Sequence, residues 1–414
     1  MKKSIQNLCI FEDTGAENFS PLCLSRPVFD LRCGIRTLEE KLRRALPATH
    51  VFYHVRSYLS GILQVSKRFP LPNEKKAQEC VFVNGRNLID QVTAKKISAL
   101  PADTLLYSGE ILIAARLSSQ TLHLVQSGEP FTLKPNKLPR QQAKTTVLQY
   151  LWDIVSKNTE ELIKDARLFP IGSIQGSVHD GVHFMHKPEI FVAKGATVKP
   201  GVVLDASDGP IIIDEGAEIM PHATLLGPVY IGKNSKVKVG AKIYEGVTVG
   251  PVCKVGGELE TSIIHGFSNK QHEGFLGHAY IGEWCNLGAD TNNSDLKNNY
   301  SSVDVIMQGE KIDTGLTFVG LFMGDHSKSG INTMFNTGTV VGFCSNVYGA
   351  GYLPKYIPSF SWFDAQKGAQ TYKMEKAIEV ATRVMARRKV RFSATDKKLF
   401  HDIFHLTTKE RPNE

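Results

Sequence analysis

The sequence predicts an α/β domain, a parallel β-helix and a helical tail, in that order along the chain. Short β-rich runs alternate with helical patterns in the first part, and aliphatic residues recur every six positions in the second. A basic amphipathic segment ends the chain. We expect the three parts to span residues 1–175, 176–360 and 361–414, since a chain of 414 residues can form two substantial cores.

The six-residue recurrence is the strongest signal in the sequence. It runs without a break through Ile213, Ile219, Leu225, Ile231, Val237, Ile243, Val249 and Val255. A period of six fits neither an α-helix nor a flat amphipathic strand. It is typical of one face of a triangular solenoid, in which three hexapeptides close one coil and stacking buries the apolar side chains. We therefore predict a left-handed parallel β-helix of hexapeptide repeats between about residues 190 and 350.

The first part of the chain lacks this period and has the pattern of a Rossmann-like α/β layer. Its β-rich runs are Leu8–Phe11, His50–Val55, Cys80–Val83 and Ile111–Ala115. Thr37-Leu-Glu-Glu40 is a capping box that predicts a helix from Leu38 to Leu46. A strand, a loop and a capped helix often form a phosphate-binding site. The same arrangement is equally common in folds where it has no binding role.

Composition and charge narrow the classes of function. The net charge is +8, but residues 366–414 hold twelve Lys and Arg against six Asp and Glu, so the tail supplies +6. Met374, Ile378, Ala381 and Met385 fall on one helical face of this tail, which favours packing over nucleic-acid binding. The seven cysteines are scattered and no apolar run is long enough for a signal peptide or a membrane span, so we expect a cytoplasmic protein.

Two short segments carry a resemblance to a known family. Leu22-Cys-Leu-Ser-Arg-Pro27 and Leu31-Arg-Cys-Gly-Ile-Arg-Thr37, followed by the hexapeptide repeats, resemble the bifunctional N-acetylglucosamine-1-phosphate uridylyltransferase/glucosamine-1-phosphate acetyltransferase family. The resemblance implies a sugar nucleotidyltransferase-like first domain. We expect substrate contacts at Arg26, Arg32, Lys41, Asn84 and Arg86. The resemblance implies Mg²⁺ bound with a nucleoside triphosphate.

The first domain departs from the family pattern at three places. The segment Phe11–Asn18 has one glycine where the family has a glycine-rich loop, and Val28 follows Pro27 where the family has a lysine. Val83-Asn-Gly-Arg86 stands where the family has an aspartate that binds Mg²⁺. An arginine cannot bind Mg²⁺ but can grip a phosphate. Two alternatives follow: the domain retains nucleotidyl transfer, or these side chains form ordinary ion pairs.

The six-residue period breaks between Val255 and Ile281, where we expect an irregular loop that carries polar chemistry. This segment resembles the acetyltransferase core of the same family. The resemblance implies acetyl-CoA as co-substrate and His272 as the catalytic base. It further implies that Phe275, in place of a tyrosine, and Asn286 contact substrate and that Ala289 lies near the thioester.

Other positions of this core differ from the family. Glu260 stands where the family has the lysine that holds the sugar phosphate, and Asp295 where it has an asparagine. We expect Lys270 to be the anion contact instead. His326, Lys328 and Asn332 are candidate cofactor contacts, and the alternative is that Asn and Thr side chains here form hydrogen-bonded ladders within the solenoid. No metal site is predicted, because Asp325-His326 lacks a third ligand.

Three functions compete. The first is a transferase of sugar-nucleotide metabolism, an acyltransferase or a nucleotidyltransferase, that acts on an amino-sugar phosphate or a nucleotide sugar. The second is a binding or regulatory protein that keeps both folds but has lost turnover. The third, nucleic-acid binding through the tail, predicts a steep salt dependence. The resemblance also implies a homotrimer.

Overall fold

The computed structural model describes residues 5–62, 79–126 and 130–411. The chain forms two compact units: the second contains Leu151–Glu414 with two short earlier segments, Ser20–Leu24 and Arg32–Ile35, and the first contains the remainder. The predicted α/β domain, parallel β-helix and helical tail are confirmed. The predicted boundaries at residues 175 and 360 stay predictions. None of the helices in the described ranges is long and apolar enough to cross a membrane.

A mixed six-stranded sheet forms the centre of the first unit. Its spatial order is Ala48–His54, Ile5–Phe11, Cys80–Asn84, Ile111–Leu117, Thr104–Ser108 and Arg140–Gln142. Ile5–Phe11 is parallel to both of its neighbours, whereas Ile111–Leu117 is antiparallel to its own. The remaining short strands of this unit are Arg36–Thr37, Asn87–Leu88 and Thr146–Val147. Each of the four β-rich runs predicted from the sequence coincides with a strand of the sheet, except that Val55 lies just beyond its strand.

The first unit also contains two helices, α1 (Leu38–Ala45) and α2 (Gln91–Ser98). The capping box of α1 is present, since the Thr37 hydroxyl accepts from the Glu40 N–H at 3.2 Å and the Glu40 carboxylate accepts from the Thr37 N–H at 2.8 Å. These bonds satisfy two donors that a helix start leaves unpaired. Helix α1 therefore begins at the residue that the sequence predicts.

The second unit is a three-faced parallel β-helix. Face A contains Ser177–Val178, Thr197–Val198, Glu218–Ile219, Lys236–Val237, Lys254–Val255, Asn269–Lys270, Lys328–Ser329, Asn346–Tyr348, Ser361–Asp364 and Gly368–Thr371. Face B contains His183–Met185, Val203–Asp205, Thr224–Leu226, Lys242–Ile243, Glu258–Glu260 and Phe275–Gly277, and Asn292–Asn293 and Met334–Phe335 form a separate pair. Face C contains Ile190–Val192, Ile211–Ile213, Val229–Ile231, Val247–Val249, Ile263–Gly266, Tyr280–Glu283, Phe322–Met323, Val340–Val341 and Tyr356–Ile357.

The eight aliphatic residues of the six-residue recurrence are all buried in one core. The expected irregular loop between Val255 and Ile281 is not what the structure contains, because the coils continue through this segment. Val249 pairs with Ile264 and Val255 with Lys270, so this coil has 15 residues per turn in place of the 18 that separate Val237 from Val255. The period breaks because the coil shortens.

The longest interruption of the β-helix lies later in the chain. Tyr280–Glu283 pairs with Phe322–Met323, and the coil that starts there continues through Asn286 and Asn292–Asn293, so the insertion lies between Asn293 and Phe322. This insertion includes an antiparallel hairpin of Asp304–Met307 and Glu310–Asp313. Asp295 fixes its base, since the Val319 N–H donates to the Asp295 carbonyl at 2.9 Å.

Helix α3 (Leu151–Ala166) packs on the outer side of face C. Leu162 and Ala166 join Phe191, Ile212 and Tyr230 in one apolar cluster. The buried Asn158 amide donates to the Gly246 carbonyl at 2.8 Å and accepts from the Gly34 N–H at 2.7 Å. These paired polar groups fix the position of α3 along the face.

The tail forms α4 (Met374–Ala386) and α5 (Ala394–Leu406). The predicted apolar face of α4 is present, with Ala377 buried and Ile378 half-buried beside it. The Arg388 guanidinium donates to the Asn269 side chain at 2.9 Å, and Phe400 of α5 packs edge-on against Phe343. The tail therefore packs along the β-helix.

Replacing a residue of the inward column removes apolar burial and leaves a cavity. We expect Ile243→Ala to lower the free energy of unfolding of the second unit by about 3 kcal/mol. The matched control is Val239→Ala, since Val239 is 53% exposed. This substitution should lower the free energy of unfolding by less than about 0.5 kcal/mol. Urea unfolding followed by tryptophan fluorescence measures this, because Trp152, Trp284 and Trp362 all lie in the second unit. Equal effects of both variants would contradict the assigned inward column.

Candidate active site

His272 lies on a corner of the β-helix, in the bend that joins face A to face B. The bend follows Asn269–Lys270 and precedes Phe275–Gly277, and the His272 side chain is exposed. The Asp290 N–H donates to the Glu273 carbonyl at 3.1 Å, and the Asn332 N–H donates to the Ala289 carbonyl at 2.8 Å. The structure therefore brings three predicted site residues, His272, Ala289 and Asn332, onto one corner over successive coils.

Lys270 occupies an inward position of face A, where the neighbouring coils have aliphatic residues. It pairs in register with Val255 and is buried. Its ammonium group donates to the carbonyl oxygens of Gly256, His272 and Glu273 at 3.3, 2.6 and 3.0 Å. Burial lowers the pKa of Lys270 to about 8, against the opposing influence of Glu273 and Asp290. Lys270 thus supports the bend that carries His272, and in this structure its ammonium bonds to the main chain.

The outer row of face A next to this corner is cationic and rich in amides. Asn269, Asn286 and Lys328 are neighbours in register, and the Asn269 amide donates to the Asn286 side chain at 3.3 Å. Burial lowers the pKa of Lys254 on the preceding coil, and the nearby cations Arg388, Lys238, Lys236 and Arg387 lower it further. Two predicted contacts, Asn286 and Lys328, thus lie on a surface suited to anions.

Face B next to the same corner has the opposite character. Phe275, the predicted aromatic contact, pairs in register with Glu258. The His278 ring nitrogen Nδ1 lies 2.8 Å from Asp295 Oδ2. Burial raises the pKa of Glu260, and His278 opposes this rise. Sequence reasoning assigned no role to His278, although it ends the same polar segment that contains His272.

His326 lies on another corner and is buried beneath the tail. Its ring stacks on Trp284 with centroids 6.1 Å apart and meets Phe400 edge-on at 5.0 Å. The Lys328 ammonium donates to the His326 carbonyl at 2.7 Å, and burial lowers the pKa of Lys328. The contacts of His326 are therefore aromatic side chains of this chain, and a cofactor role for either residue stays a prediction.

Serine hydroxyl groups form hydrogen bonds between coils of this region, where the alternative expects ladders of Asn and Thr side chains. The Ser327 hydroxyl donates to the Gly342 carbonyl at 2.6 Å and accepts from the Ser345 N–H at 3.0 Å. Thr291 and Ser329 bond through their hydroxyl groups at 2.8 Å. Such pairs satisfy polar groups that the stacking of coils removes from water.

The predicted phosphate-contact residues Asn84 and Arg86 of the first unit bond to Asp13 at the end of Ile5–Phe11. The Arg86 guanidinium bonds to both Asp13 carboxylate oxygens, at 2.7 and 2.5 Å, and to the Leu148 carbonyl. The Asn84 amide donates to the same carboxylate at 2.8 Å. On the adjacent residue, the buried Glu12 carboxylate is held by the Arg56 guanidinium at 3.0 Å.

Glu12 and Asp13 are therefore each paired with an arginine. A Mg²⁺ ion needs carboxylate oxygens that face it, so this arrangement does not fit the ion. The side chains that the sequence presented as phosphate contacts form internal ion pairs and hydrogen bonds. Across the described ranges, no group of three or more His, Cys, Asp or Glu side chains could hold a metal ion.

The other basic residues predicted for the first domain lie in different settings. Arg26 is buried and pairs with Asp30 at 3.1 Å, and Lys41 lies half-buried on α1. Arg32 belongs to the second unit, where its N–H donates to the Tyr280 hydroxyl at 2.9 Å. Arg32 is therefore part of the contacts around face C.

The position of Lys270 makes stability depend on pH. Its pKa of about 8 in the fold lies below that of a lysine in the unfolded chain, so unfolding takes up a proton between the two values. We expect the free energy of unfolding of the wild type to rise by about 1 kcal/mol, relative to that of Lys270→Met, between pH 7 and pH 9. Urea unfolding followed by tryptophan fluorescence measures the difference, with exposed Lys236→Met as control. A constant difference would mean that Lys270 stays charged in the fold.

Loss of the carboxylate at Asp13 leaves the buried Arg86 without its partner. We expect Asp13→Asn to lower the free energy of unfolding of the first unit by about 3 kcal/mol, because an uncompensated buried charge is costly. Differential scanning calorimetry measures this loss of stability. Glu17→Gln, an exposed carboxylate in the same turn, is the matched control and should leave the transition unchanged. Unchanged transitions for both variants would show that the pair adds no stability.

Sequence comparison relates part of the chain to known proteins. The family model described as sugar nucleotidyl transferase matches residues 8–173. A bifunctional sugar-1-phosphate nucleotidylyltransferase/acetyltransferase of Sulfurisphaera tokodaii is 32% identical over 146 residues, which cover 34% of this chain and 35% of that protein. The bifunctional protein GlmU of Methanococcus aeolicus is 31% identical over 173 residues, 41% of this chain and 40% of that protein. The chain thus spans about two fifths or less of these relatives' length.

Solved structures similar to this chain include acyltransferases. The Bacillus cereus N-acyltransferase AntD, in complex with dTDP and 3-hydroxybutyryl-CoA, is 8% identical with a TM-score of 0.18, over 55% of this chain and 96% of that one. A UDP-N-acetylglucosamine acyltransferase is 12% identical with a TM-score of 0.23, over 57% and 81%. In sequence, residues 8–173 are thus similar to sugar nucleotidyl transferases, and the chain is similar over part of its length to bifunctional GlmU proteins.

Proposed function

We propose that the second unit transfers an acyl group from acetyl-CoA to an acceptor of the amino-sugar class, with His272 as the proton acceptor. One observation carries this proposal: an exposed imidazole lies on the corner between a cationic, amide-rich surface and a surface with acidic groups. The name of the Sulfurisphaera tokodaii relative includes an acetyltransferase activity, which supports the same reaction.

The surface of face A suits the donor. Coenzyme A carries several phosphate groups, and Lys254, Lys238 and Arg388 offer cations to such a ligand. Asn286 follows on the same face and supplies an amide to polar groups of the pantetheine arm. The thioester would then extend towards the corner that carries His272 and Ala289.

Proton transfer is the task of His272. A neutral imidazole near physiological pH can accept the proton that an amine nitrogen releases as it attacks the thioester. Direct attack requires no covalent enzyme intermediate, which fits a corner whose predicted catalytic group is one histidine. The carbonyl bonds of Lys270 would hold the bend, so that the imidazole stays in place during the reaction.

The first unit supports a second function, binding of a nucleotide sugar without nucleotidyl transfer. The observation that favours it is the pairing of both loop carboxylates with arginines, Glu12 with Arg56 and Asp13 with Arg86. Nucleotidyl transfer in the family depends on Mg²⁺, and these carboxylates do not fit that ion. This unit would then present or sense the substrate of the second unit.

We also propose a homotrimer, as the resemblance to the family implies, and light scattering of the full chain measures the mass of the assembly.

The decisive experiment measures CoA release from acetyl-CoA with a panel of amino sugars and sugar 1-phosphates. We expect release that depends on an acceptor, and a loss of about 10²-fold or more in His272→Ala. His183→Ala, an exposed histidine of the first face B strand, is the matched control and should retain full activity. Binding of CoA or of a nucleotide sugar without release by the wild type would contradict the enzyme and favour a binding protein.

A further inference from the structure

His278 and Asp295 form a hydrogen-bonded pair at the end of the face B strand that begins next to His272. Nδ1 of His278 lies 2.8 Å from Asp295 Oδ2, and both side chains are mostly buried, with 22% and 12% of their surfaces exposed. His278 directly follows the strand Phe275–Gly277, and His272 lies in the bend three residues before this strand begins. The pair therefore borders the same face as the proposed base.

The carboxylate decides which ring nitrogen of His278 can accept a proton. An ionised carboxylate only accepts hydrogen bonds, so Nδ1 must carry the hydrogen in the neutral ring. The lone pair then resides on Nε2, which makes Nε2 the basic atom. Asp295 also stabilises the positive ring that forms after protonation, as orienting carboxylates do in catalytic pairs.

The surroundings hold the pair in this geometry. The Phe318 ring stacks on His278 with centroids 5.1 Å apart. Gly277 leaves room for it, because a Cβ there would lie 2.4 Å from Asp295 Oδ2 and 2.5 Å from the Phe275 ring. Substitution of Gly277 would therefore displace either the aromatic ring or the carboxylate.

The charged groups around His278 are acidic. Asp295 comes from the base of the insertion, and Glu260 from the adjacent strand Glu258–Glu260 acts on His278 through its charge. Glu258 and Glu245 add to the same negative field. Such a field attracts a cation and disfavours a phosphate.

We infer that His278, positioned by Asp295, is a second proton acceptor of the acyltransferase site and that the acceptor substrate is a primary amine that arrives as an ammonium ion. This inference rests on the proposed function. Beyond the proposed function, it assigns the first proton of the acceptor substrate to His278. It also places the cationic end of the acceptor, and not a phosphate, on face B.

The proton balance explains why two acceptors are useful. An ammonium ion must lose one proton before its nitrogen can attack, and this proton passes to Nε2 of His278 through water and then to solvent. The nitrogen then forms a bond to the thioester carbon and the carbon–sulfur bond breaks. The second proton passes from nitrogen to His272 and from there to the thiolate of CoA. One ammonium ion and one thioester yield one amide, one thiol and one released proton.

The test measures kcat/KM for an amine acceptor from pH 6 to 9.5 in the full-length wild type, His278→Asn, Asp295→Asn and His272→Asn. Asparagine suits position 278 because the backbone there has a positive φ of 45°. We expect kcat/KM of His278→Asn to be roughly 10²-fold below the wild type at pH 7. It should approach the wild-type value at pH 9, where the acceptor arrives unprotonated. Asp295→Asn should change in the same direction by a smaller factor, and His272→Asn should stay low throughout.

A second acceptor sharpens the test. An aminooxy analogue, whose nitrogen is unprotonated at pH 7, should react equally well with the wild type and with His278→Asn. A loss that is the same at every pH, or no loss, overturns the inference while leaving acyl transfer intact. Absence of acceptor-dependent release by the wild type overturns the proposed function itself. Unfolding followed by tryptophan fluorescence verifies that each variant is folded.

Discussion

The stacking of coils in parallel register is the constraint on which the second unit depends. One coil cannot bury its own apolar side, so each inward residue needs the same kind of residue above and below it. The register also fixes the outward residues at the spacing of neighbouring strands, about 4.8 Å. Asn286 and Lys328 are therefore neighbours although the long insertion separates them in sequence. A site on such a scaffold is a row of outward positions whose members come from distant parts of the chain.

Most of the fold could be predicted because the signals behind it are local. Each hexapeptide repeats the same inward aliphatic residue, and the capping box of α1 lies within four consecutive residues. The segment around His272 could not be interpreted correctly, because its coil is three residues shorter and its inward position is Lys270. A lysine inside the solenoid has no apolar signature, and only the neighbouring carbonyl groups explain how it can be buried there.

The candidate site could be predicted only in part, because its pairs of side chains form only in the fold. The sequence contains Asp13, Arg86, His278 and Asp295 as chemically suitable groups, but their pairing depends on strands and insertions that meet only in the fold. Arg86 was a plausible phosphate ligand until Asp13 was found bonded to it. His278 lies six residues from His272, yet its role depends on Asp295, which is seventeen residues further on and begins the insertion. Motif spacing alone does not show which charges neutralise each other.

The buried ammonium of Lys270 also has a consequence for cooperativity. In a solenoid, stability is nearly a sum of contributions from each coil and from the contacts between adjacent coils. Val255 and Leu287 face Lys270 from the coils on either side, whereas on the earlier coils of this face Ile219, Val237 and Val255 stack on one another. At this position three hydrogen bonds to carbonyl oxygens therefore take the place of apolar contact between adjacent coils. An apolar side chain at this position would deprive three carbonyl groups of a hydrogen bond, so its cost would spread to the bend and to the preceding coil.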